Sequence, residues 1–548
     1  MHAFDQMDLE RALARSRKPL QLDRYGMCIE LFRVASEARP QEFTQWLQYV
    51  ASSEACMTSL ESPLLCYGKQ AKDTALHDVR GVIPPCALLK ILDAILSSLL
   101  CDRLTTLLPR HPDVFVGARK FTQTKDISQG LQLVIEKGLD LRSRASVAQA
   151  DSRSYYDSLP VLRIVKWLLE RGVERSLLAS VVRHQLCSSI RIRRGVESFV
   201  IASRSCGGLT GSTVALTLAR VPVGSTFLEL APSNRLKGFA VGGTRLVFAS
   251  WVDNIYAASP TPEEACELVS SVFKHLQIRW NLHVKETSAV VLACRGSDLS
   301  EFFPTCGFKL VSDFEVLGSH LTDNASMAVQ WKHLQACAWA AFWSNVRVRS
   351  WKRLGVDRRF AVLERCVRPI VQFKLQAFSP SKYWCKQVLK LQRHMLARCL
   401  GQHRLACDTP RDFFQRLARA VHEHIGNTVA DWSVEWLKSA VSWDSHCCRD
   451  SLEQQRFCTA YPNFSSLTFG ASADFGAVQE HFDTTFSWAA RLSQYMGAEF
   501  FDERRTVEQL GARTHTRTST RAVVGCVTPR YHDCVAFAQS ELARLGLV

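Results

Sequence analysis

The pattern that most restricts the fold of this chain is the segment TRLVFASWVDNIYAAS. Two apolar arms flank Asp253 and Asn254, and such a polar pair readily forms a tight turn between antiparallel strands. Thr261, Pro262 and Glu264 follow as an N-cap, a first-turn proline and a capping-box glutamate, which together predict a helix. The sequence therefore predicts a β-hairpin and then a helix, with Asp253 at the tip of the hairpin.

A second β element ends on another aspartate. The segment ASVAQADS has a β-compatible alternation and reaches Asp151, and the following LPVLRIVKWLLERG has the pattern of a helix that ends before Gly172. Magnesium prefers carboxylate, water and phosphate oxygens as ligands. Asp151 and Asp253, on separate β elements, therefore form a candidate site for two divalent ions, whereas either aspartate alone would indicate nothing.

The positive charge of the chain is concentrated in one stretch. The formal net charge is +16. Between Arg347 and Arg398 there are fourteen Lys and Arg residues and two acids, a density that suits a polyanion such as a phosphate backbone. From residue 325 onward the pattern is helical, with the bases off the apolar stripe. The bases predicted to contact a nucleic-acid backbone are Arg347, Arg349, Lys352, Arg353, Arg358, Arg359, Lys386, Lys390 and Arg393.

Composition argues against several other classes of protein. The 20 cysteines are scattered and include no C-x-x-C pair, which predicts reduced thiols rather than a disulfide framework or a zinc finger. The first residues mix acids and bases, so no secretion signal is expected, and no window is expected to span a membrane. We therefore expect a nuclear or cytoplasmic protein that is neither secreted nor membrane-bound.

Three motifs follow one another along the chain. They are Asp151-Ser-Arg-Ser-Tyr-Tyr-Asp157-Ser158, Arg204-Ser-Cys-Gly-Gly-Leu-Thr210-Gly211-Ser212 and Phe248-Ala-Ser-Trp251-Val252-Asp253-Asn254. Their residues and order resemble the reverse transcriptases of non-LTR (LINE-like) retroelements, and the resemblance runs from near the N-terminus to about residue 400. It implies that Asp151 and Asp253 bind metal ions, with Asn254 beside them where the family has a second hairpin aspartate.

The same resemblance implies how a nucleotide would be bound. Tyr156 occupies the position of an aromatic residue that packs under the sugar and favours deoxynucleotides. Gly211 belongs to a glycine turn that lies behind the template and the incoming nucleotide. Thr210, directly before it, stands where the family usually has glutamine. Lys69 and Arg80 are spaced like the bases that hold the triphosphate, although solvated surface bases explain them equally well.

Two further motifs match less specifically. Lys285, at the end of NLHVK, resembles a lysine that approaches the leaving pyrophosphate as a general acid, although a solvated lysine is as reasonable. Leu317 and Gly318, within FEVLGS, resemble a short hairpin turn that positions the end of the primer. Both assignments depend on the resemblance and not on spacing alone.

The resemblance implies an α+β fold with a right-hand polymerase architecture. We expect fingers at residues 1–140, a palm with a small antiparallel sheet at 141–320, a basic helical thumb at 321–400, and a mainly helical C-terminal extension of unknown role at 401–548. The basic stretch found from charge alone falls within the expected thumb. Catalysis would use two Mg²⁺ ions, with Mn²⁺ as another option. The substrates would be an RNA template, a DNA primer and deoxynucleoside triphosphates. The oligomeric state stays open.

The sequence leaves two functions open. The first is RNA-directed DNA synthesis by a retroelement reverse transcriptase, without an endonuclease or RNase H signature of its own. The second is a catalytically decayed or co-opted nucleic-acid-binding protein with the same fold, because Asn254 removes a negative charge from the site and Thr210 changes the second motif. A protein-interaction scaffold with incidental charge would leave the ordered motifs unexplained.

Overall fold

The structure, a computed structural model, combines helices and short strands around one central sheet. It describes residues 3–439 apart from 16–21, 24, 69–78, 112, 120–121, 141–143, 195–196, 202–203, 242–243, 295–306, 348–350, 377, 379–381, 426 and 437–438. Two candidate site residues, Lys69 and Arg349, and most of the expected C-terminal extension lie outside the described residues.

The N-terminal part is mainly helical. Its helices are α1 (Gln6–Arg15), α2 (Ile29–Ala38), α3 (Pro40–Ser52), α4 (Glu54–Ser59), α5 (Ala87–Leu107) and α6 (Thr124–Asp140). Its strands are β1 (Glu61–Pro63), β2 (Leu65–Gly68), β3 (Val79–Val82) and β4 (Val114–Val116). The first helices pack on the start of α5 around Leu9, Leu47 and Leu92.

The middle part alternates strands and helices. Its strands are β5 (Ser146–Ser152), β6 (Ser189–Arg194), β7 (Glu197–Ile201), β8 (Phe239–Val241), β9 (Thr244–Leu246), β10 (Phe248–Trp251), β11 (Asn254–Ser259), β12 (Val284–Ala293), β13 (Lys309–Leu310), β14 (Asp313–Val316) and β15 (Ser319–Thr322). Its helices are α7 (Val161–Leu169), α8 (Arg175–Val182), α9 (Thr213–Asn234) and α10 (Pro262–Trp280). The predicted strand ending at Asp151 and the helix after it are therefore both confirmed.

The last part is helical, as the sequence predicts from residue 325 onward. Its helices are α11 (Met327–Val346), α12 (Val356–Val362), α13 (Arg368–Leu375), α14 (Lys382–Leu400) and α15 (Pro410–His424). They share one apolar core that continues past residue 400, because Val421 and Trp432 are buried in it. The Trp432 indole N–H also donates to the Glu364 carboxylate (3.1 Å). We call α11–α15 with this core the helical unit, and it extends beyond the thumb boundary expected at residue 400.

β5 lies inside a six-stranded sheet of order β13-β12-β5-β11-β10-β4. It pairs antiparallel with β11 on one side and with β12 on the other. β4, from the N-terminal part, runs parallel to β10. The central sheet therefore combines strands from both sides of the boundary expected at residue 140.

Alternating side chains of β5 are buried against different layers. Ala148 and Ala150 belong to the core formed with α5, α9 and α10, whereas Val147 belongs to the core formed with α6 and the β14–β15 hairpin. A sheet covered on both faces has a strongly specified register, because a slip of one residue would move every side chain to the other face. The register in turn fixes the position of Asp151 near the end of β5.

The predicted hairpin is confirmed, but its turn lies one residue earlier than expected. β10 and β11 pair antiparallel with Trp251 opposite Asn254, so the turn is Val252-Asp253 and Asn254 begins β11. Val252 has a φ of +58°, which is rare for a β-branched residue. The expectation relied on the turn preference of Asp-Asn, whereas the pairing of β11 with β5 decides where the turn falls.

The predicted helix after the hairpin is confirmed as α10, with one correction at its start. The Thr261 hydroxyl caps the helix by accepting from the Glu264 N–H (3.3 Å). Glu264 does not complete a capping box, because its carboxylate accepts from the Ser259 hydroxyl (2.7 Å). Ser259 Oγ also accepts from the Thr261 N–H (3.5 Å), so this last residue of β11 joins the strand to the helix.

α9 is the element that bears on the expectation that no window spans a membrane. The segment Thr213–Lys237 is long and apolar enough by length and composition, but 78% of its apolar window is buried inside the protein. Leu218 and Phe227 lie in the main core together with residues of α5 and α10. Burial inside the protein therefore accounts for the apolar composition of α9.

Gly117 lies directly behind the hairpin. Its N–H donates to the Ser250 carbonyl (2.7 Å), and an added Cβ would lie 2.8 Å from that oxygen and against the Trp251 ring. We predict that Gly117→Ala lowers the free energy of unfolding by about 1–3 kcal/mol, because overpacking of this kind forces the backbone to shift. Urea unfolding followed by circular dichroism would measure the change.

Gly130, inside α6, supplies the matched control. Among the described residues, no heavy atom lies within 4 Å of a Cβ added at Gly130. Gly130→Ala should therefore be neutral or stabilise the protein by up to about 1 kcal/mol, because alanine is the better helix former. A Gly117→Ala protein as stable as wild type would contradict the close packing behind the hairpin.

Candidate active site

The end of β5 brings three candidate residues into one row. Asp151 is paired with Asn254 of β11 on one side and with Lys285 of β12 on the other. Side chains of directly paired residues project to the same face of a sheet, with Cβ atoms about 4.5–5.5 Å apart. Asp151 therefore lies between an amide and an ammonium group that are distant from it in sequence.

Asp253 joins this group from the hairpin turn. Its carbonyl oxygen accepts from the Ser152 N–H (3.1 Å), and its Oδ1 accepts from Asn254 Nδ2 (3.3 Å). The positive φ of Val252 directs the chain so that Asp253 occupies the tip while Asn254 enters the sheet. Backbone and side-chain hydrogen bonds thus hold Asp253 beside the end of β5.

A β-bulge in β12 supports Asp151 from the opposite side. The register shifts between Lys285 and Val290, so the regular ladder is interrupted next to Asp151. There the Asp151 N–H donates to Ser288 Oγ (2.8 Å), and this hydroxyl donates to the Lys285 carbonyl (2.6 Å). Sequence reasoning missed Ser288, because a single serine in a strand gives no signal until the register is known.

The carboxyl group of Asp151 lies where its negative charge is disfavoured. Burial and the neighbouring charge of Asp253 raise the pKa of Asp151 to about 6, and the ammonium of Lys285 opposes this shift. Asp151 Oδ1 is buried and has no hydrogen-bond partner among the described residues. A buried carboxylate oxygen in this state is costly unless a cation or a proton occupies the space in front of it.

The donor atoms of the site fit a divalent cation that prefers oxygen ligands. Asp151 and Asp253 supply carboxylate oxygens, and Asn254 supplies an amide oxygen because its nitrogen is turned toward Asp253. In the described part of the chain, no group of three or more His, Cys, Asp or Glu side chains could hold a metal ion. The negative charge of this site consequently comes from two carboxylates. Its attraction for a dication is therefore weaker than that of a site with three carboxylates.

Two adjacent tyrosines lie beside the carboxylates. Tyr155 is fully buried, and its hydroxyl donates to the Ala219 carbonyl in α9 (2.5 Å). Tyr156 is only partly buried, and its pKa is raised to about 12 by burial and by the charge of Asp253. The Tyr156 side chain is therefore neutral at ordinary pH and lies within the electrostatic influence of Asp253.

The glycine turn of the second motif packs on this same segment. The Gly207 N–H donates to the Leu159 carbonyl (2.9 Å), and the Gly208 N–H donates to the Tyr156 carbonyl (2.8 Å). A Cβ at Gly207 would lie 2.9 Å from the Asp157 carbonyl oxygen, so only glycine allows this close approach. The first two motifs are thus joined through their backbones.

The other side of the glycine turn meets the β2–β3 hairpin. Ile83, directly after β3, donates its N–H to the Thr210 carbonyl (2.6 Å). Gly211 has a φ of +111°, and a Cβ added to it would lie 3.1 Å from the Ile83 carbonyl oxygen. Because the Thr210 contact uses the backbone, it does not depend on the side chain at that position. The turn therefore brings β3, which carries Arg80, next to the motif.

The predicted Leu-Gly hairpin is confirmed and is attached to the helical unit. Leu317 and Gly318, with φ of +51° and +93°, form the turn between β14 and β15. The Gly318 carbonyl accepts from Lys374 Nζ (3.1 Å), and the Phe373 ring fills the space that a Cβ would need. Its role in holding a primer stays a prediction.

Most of the candidate backbone-binding bases are exposed. The exposed bases are Arg347, Arg353, Arg358, Lys386, Lys390 and Arg393, and Lys352 lies in the short turn before α12. Arg359 differs, because its guanidinium donates to the carbonyls of Leu354 and Cys399 (3.0 Å each). Arg359 therefore binds the end of α14 within the helical unit, and its contact with a phosphate stays a prediction.

Asp93 was also missed as a candidate. In the sequence it is a single acid that interrupts the apolar run of α5. In the structure it is buried, and its carboxylate accepts hydrogen bonds from the first residues of α9. The available signal was an acid on an otherwise buried helix, which requires a hydrogen-bond donor from another element.

Comparison with solved structures finds likeness to telomerases of two yeasts. The telomerase of Candida albicans in complex with a TWJ fragment of telomeric RNA gives a TM-score of 0.37 at 11% identity, over 81% of this chain and 70% of that chain. The corresponding complex from Candida tropicalis gives 0.33 at 9% identity, over 66% and 64%. Apo telomerase from Candida tropicalis, truncated from its C-terminal domain, gives 0.34 at 9% identity, over 48% and 53%.

These likenesses cover only part of the known structures. The chain spans about half (53%) of the length of the truncated apo telomerase that it matches. No protein-family model matches the chain, and no curated protein matches it either. TM-scores this low do not establish a shared fold, so any functional proposal has to rest on the site itself.

Replacing Asn254 by aspartate tests whether charge limits metal binding. Asn254 is paired with Asp151, so Asn254→Asp would place a third carboxylate in the same row. We predict that Mn²⁺ binding tightens by about tenfold or more, because a further negative charge close to a dication is strongly favourable in a partly buried site. Isothermal titration calorimetry with Mn²⁺ and with Mg²⁺ would measure this.

Asn427→Asp provides the control for added charge. Asn427 is an exposed residue shortly after α15, so the substitution adds the same charge away from the end of β5. It should leave Mn²⁺ affinity within about twofold of wild type, since exposed charges are screened. Equal effects of the two substitutions would argue against a metal site at the end of β5.

Proposed function

We propose that the chain is an RNA-directed DNA polymerase of the reverse-transcriptase type, with its active site at the end of β5. The observation that carries this proposal is the juxtaposition of Asp151 and Asp253, with Asp151 Oδ1 buried and unpartnered within the described part of the chain. Nucleotidyl transfer uses two divalent ions held by such a pair. The order of the sequence motifs supports the finer assignment to a non-LTR retroelement. Action in the nucleus or cytoplasm is a further part of the proposal.

In the proposed reaction, the primer 3′ oxygen bonds to the α-phosphorus of a deoxynucleoside triphosphate, and the bond to pyrophosphate breaks. Bound Mg²⁺ or Mn²⁺ would promote transfer of the hydroxyl proton to solvent water and would neutralise phosphate charge. Asp151 and Asp253 would hold these ions, with the neutral Asn254 beside them. The exposed Lys285, paired with Asp151, would give a proton to the departing pyrophosphate.

Tyr156 would select deoxynucleotides. Its partly buried, neutral ring lies next to Asp253, where the sugar of a nucleotide bound at the two carboxylates would rest. A 2′ hydroxyl would collide with this ring. Thr210 and Gly211 hold β3 beside the motif, and Arg80 on β3 would bind the triphosphate.

The helical unit would hold the RNA template and DNA primer. Lys386, Lys390 and Arg393 are exposed on α14 at spacings that put them on one face of the helix. The Leu317-Gly318 hairpin is bound to the same unit. A duplex held by the helical unit would therefore be fixed relative to the hairpin that contacts the primer end.

Nucleic-acid binding without catalysis is the second candidate function. Asn254 favours it, because a neutral amide in the row with Asp151 weakens the hold on a dication. The exposed bases of the helical unit would bind a nucleic-acid backbone whether or not the protein is a polymerase. The two functions differ in whether the protein extends a primer.

Removing either carboxylate should abolish primer extension. We predict that Asp151→Ala and Asp253→Ala each reduce extension of a DNA primer on an RNA template with Mg²⁺ by at least about a thousandfold. The basis is the loss of an oxygen ligand to the ions that stabilise the reacting phosphate. A gel-based extension assay gives the rates, and filter binding gives the affinity for template–primer, which should change little.

Asp102→Ala is the matched control, since Asp102 is an exposed carboxylate on α5 away from the row. It should extend primers at the wild-type rate. Extension that survives Asp151→Ala would overturn the site assignment. A wild-type protein that binds RNA tightly and salt-dependently but never extends a primer would support the binding function instead.

The exposed bases of α14 should set the salt dependence of binding. We predict that the combined substitution of Lys386, Lys390 and Arg393 by alanine weakens template–primer binding and lowers the slope of log affinity against log salt by about two to three. Each lost phosphate contact removes roughly 0.7–0.9 released counterions. Fluorescence anisotropy at several salt concentrations would measure both quantities.

A second triple variant removes the same charge elsewhere. Arg11, Arg39 and Lys237 are exposed bases outside the helical unit. Their joint substitution by alanine should leave the salt slope within about 0.5 of wild type, because long-range screening limits their effect. Equal slopes for the two triple variants would mean that binding responds to net charge and not to α14.

A further inference from the structure

Asp93 is a buried carboxylate whose hydrogen bonds reach a distant element. It lies in the middle of α5 and is 5% exposed. Its carboxylate accepts from the Thr213 N–H (2.6 Å), from the Val214 N–H (3.1 Å) and from the hydroxyls of Ser212 and Thr213. These donors form the start of α9, about 120 residues further along the chain.

This contact is more than an ordinary helix cap. α10 and α15 are capped by the residue directly before each helix, Thr261 and Thr409. α9 has such a cap too, because the Ser212 hydroxyl accepts from the Ala215 N–H (3.1 Å), and Asp93 is added to it. The first N–H groups of a helix lack intrahelical partners and favour a negative charge, which offsets the cost of burying the carboxylate. Asp93 therefore fixes where α9 begins relative to α5.

Gln185 holds the other end of the same turn. It is fully buried, its Oε1 accepts from the Leu209 N–H (3.0 Å), and its Nε2 donates to Ser212 Oγ (2.9 Å) and to His184 Nδ1 (2.8 Å). His184 Nε2 in turn donates to the Leu89 carbonyl (3.2 Å), which suits the neutral ring. Buried side chains from other elements thus hold the turn at both ends.

The glycine turn lies beside Tyr156, the residue proposed to contact the sugar of the incoming nucleotide. Thr210 and Gly211 lie between Leu209 and Ser212 and contact Ile83 through the backbone. Gly208, directly before them, donates to the Tyr156 carbonyl. A shift of either end would therefore move Gly211 relative to Tyr156.

We propose that Asp93 is a positioning residue for the incoming nucleotide, which fixes the start of α9 and, through Ser212, the placement of the glycine turn. This inference rests on the proposed function, because a nucleotide at the carboxylates is what the turn would position. Asp93 is buried behind the turn and acts through Ser212 and Thr213. It is not a catalytic residue.

Asp93→Asn tests this role with little change in volume. In either orientation the amide nitrogen faces a backbone N–H, that of Thr213 or that of Val214, so one of these hydrogen bonds is lost and the turn has to move. In extension assays on saturating RNA template–primer, the KM for the deoxynucleotide should rise about tenfold, a size typical of losing one strong helix cap. The Kd for template–primer should stay within about twofold. Hydrogen exchange of the amides of residues 207–216 should become about tenfold faster.

Ser97→Ala is the matched control. Ser97 is one turn further along α5, and its hydroxyl is hydrogen-bonded to Thr217 Oγ1 of α9 (2.9 Å). This variant removes a buried polar contact between the same two helices without touching the glycine turn. It should leave the KM and the exchange of residues 207–216 at wild-type values. An equal rise of the KM in Ser97→Ala would overturn the proposal.

The remaining outcomes are also decisive. A wild-type KM and wild-type exchange in Asp93→Asn would overturn the positioning role. A wild-type protein that extends no primer would refute the proposed function, and the exchange measurement would still decide whether Asp93 holds the turn. If Asp93→Asn does not fold, Ser212→Ala tests the same link, with an expected rise in the KM of about threefold.

Discussion

The surroundings of Asp151 are set by the pairing of β5 with a neighbouring strand on each of its two edges. β11 brings Asn254 to one side of it, and β12 brings Lys285 to the other. Both faces of β5 are covered by apolar layers, so the register cannot slip without exposing core side chains. The row of polar groups at the end of the strand is thus a consequence of the apolar packing along the rest of β5.

Two irregular backbone features lie next to the row of polar groups at the end of β5. Val252 adopts a positive φ in the hairpin turn, and the bulge of β12 places Ser288 against the Asp151 backbone. A strained residue of this kind costs about 1–3 kcal/mol and persists only when its surroundings determine it. Here the regular pairing of β10 with β11, and of β11 with β5, supplies that constraint. The site therefore depends on the sheet for its unusual local geometry.

Contacts from outside the sheet hold the turns that surround the site. Asp93 of α5 binds the start of α9 and so holds the glycine turn. Lys374 of α13 binds the Gly318 carbonyl and so holds the second hairpin. In both cases a charged side chain of a helix binds backbone groups at a turn distant in sequence. The relative placement of the turns is consequently set by helix packing, and not by the turns themselves.

The sequence by itself determined the parts that depend on neighbouring residues: the strand ending near Asp151, the hairpin with Asp253 at its tip, the helix after it and the helical basic region. Alternation, capping residues and helical periodicity act over a few residues, so they can be read without a fold. The tertiary structure decided the rest. It placed the turn at Val252-Asp253, paired Arg359 with the end of α14 and gave Asp93 its hydrogen-bond donors at the start of α9. Strand register and hydrogen bonds between distant segments decide these features, and neither is encoded in any local pattern.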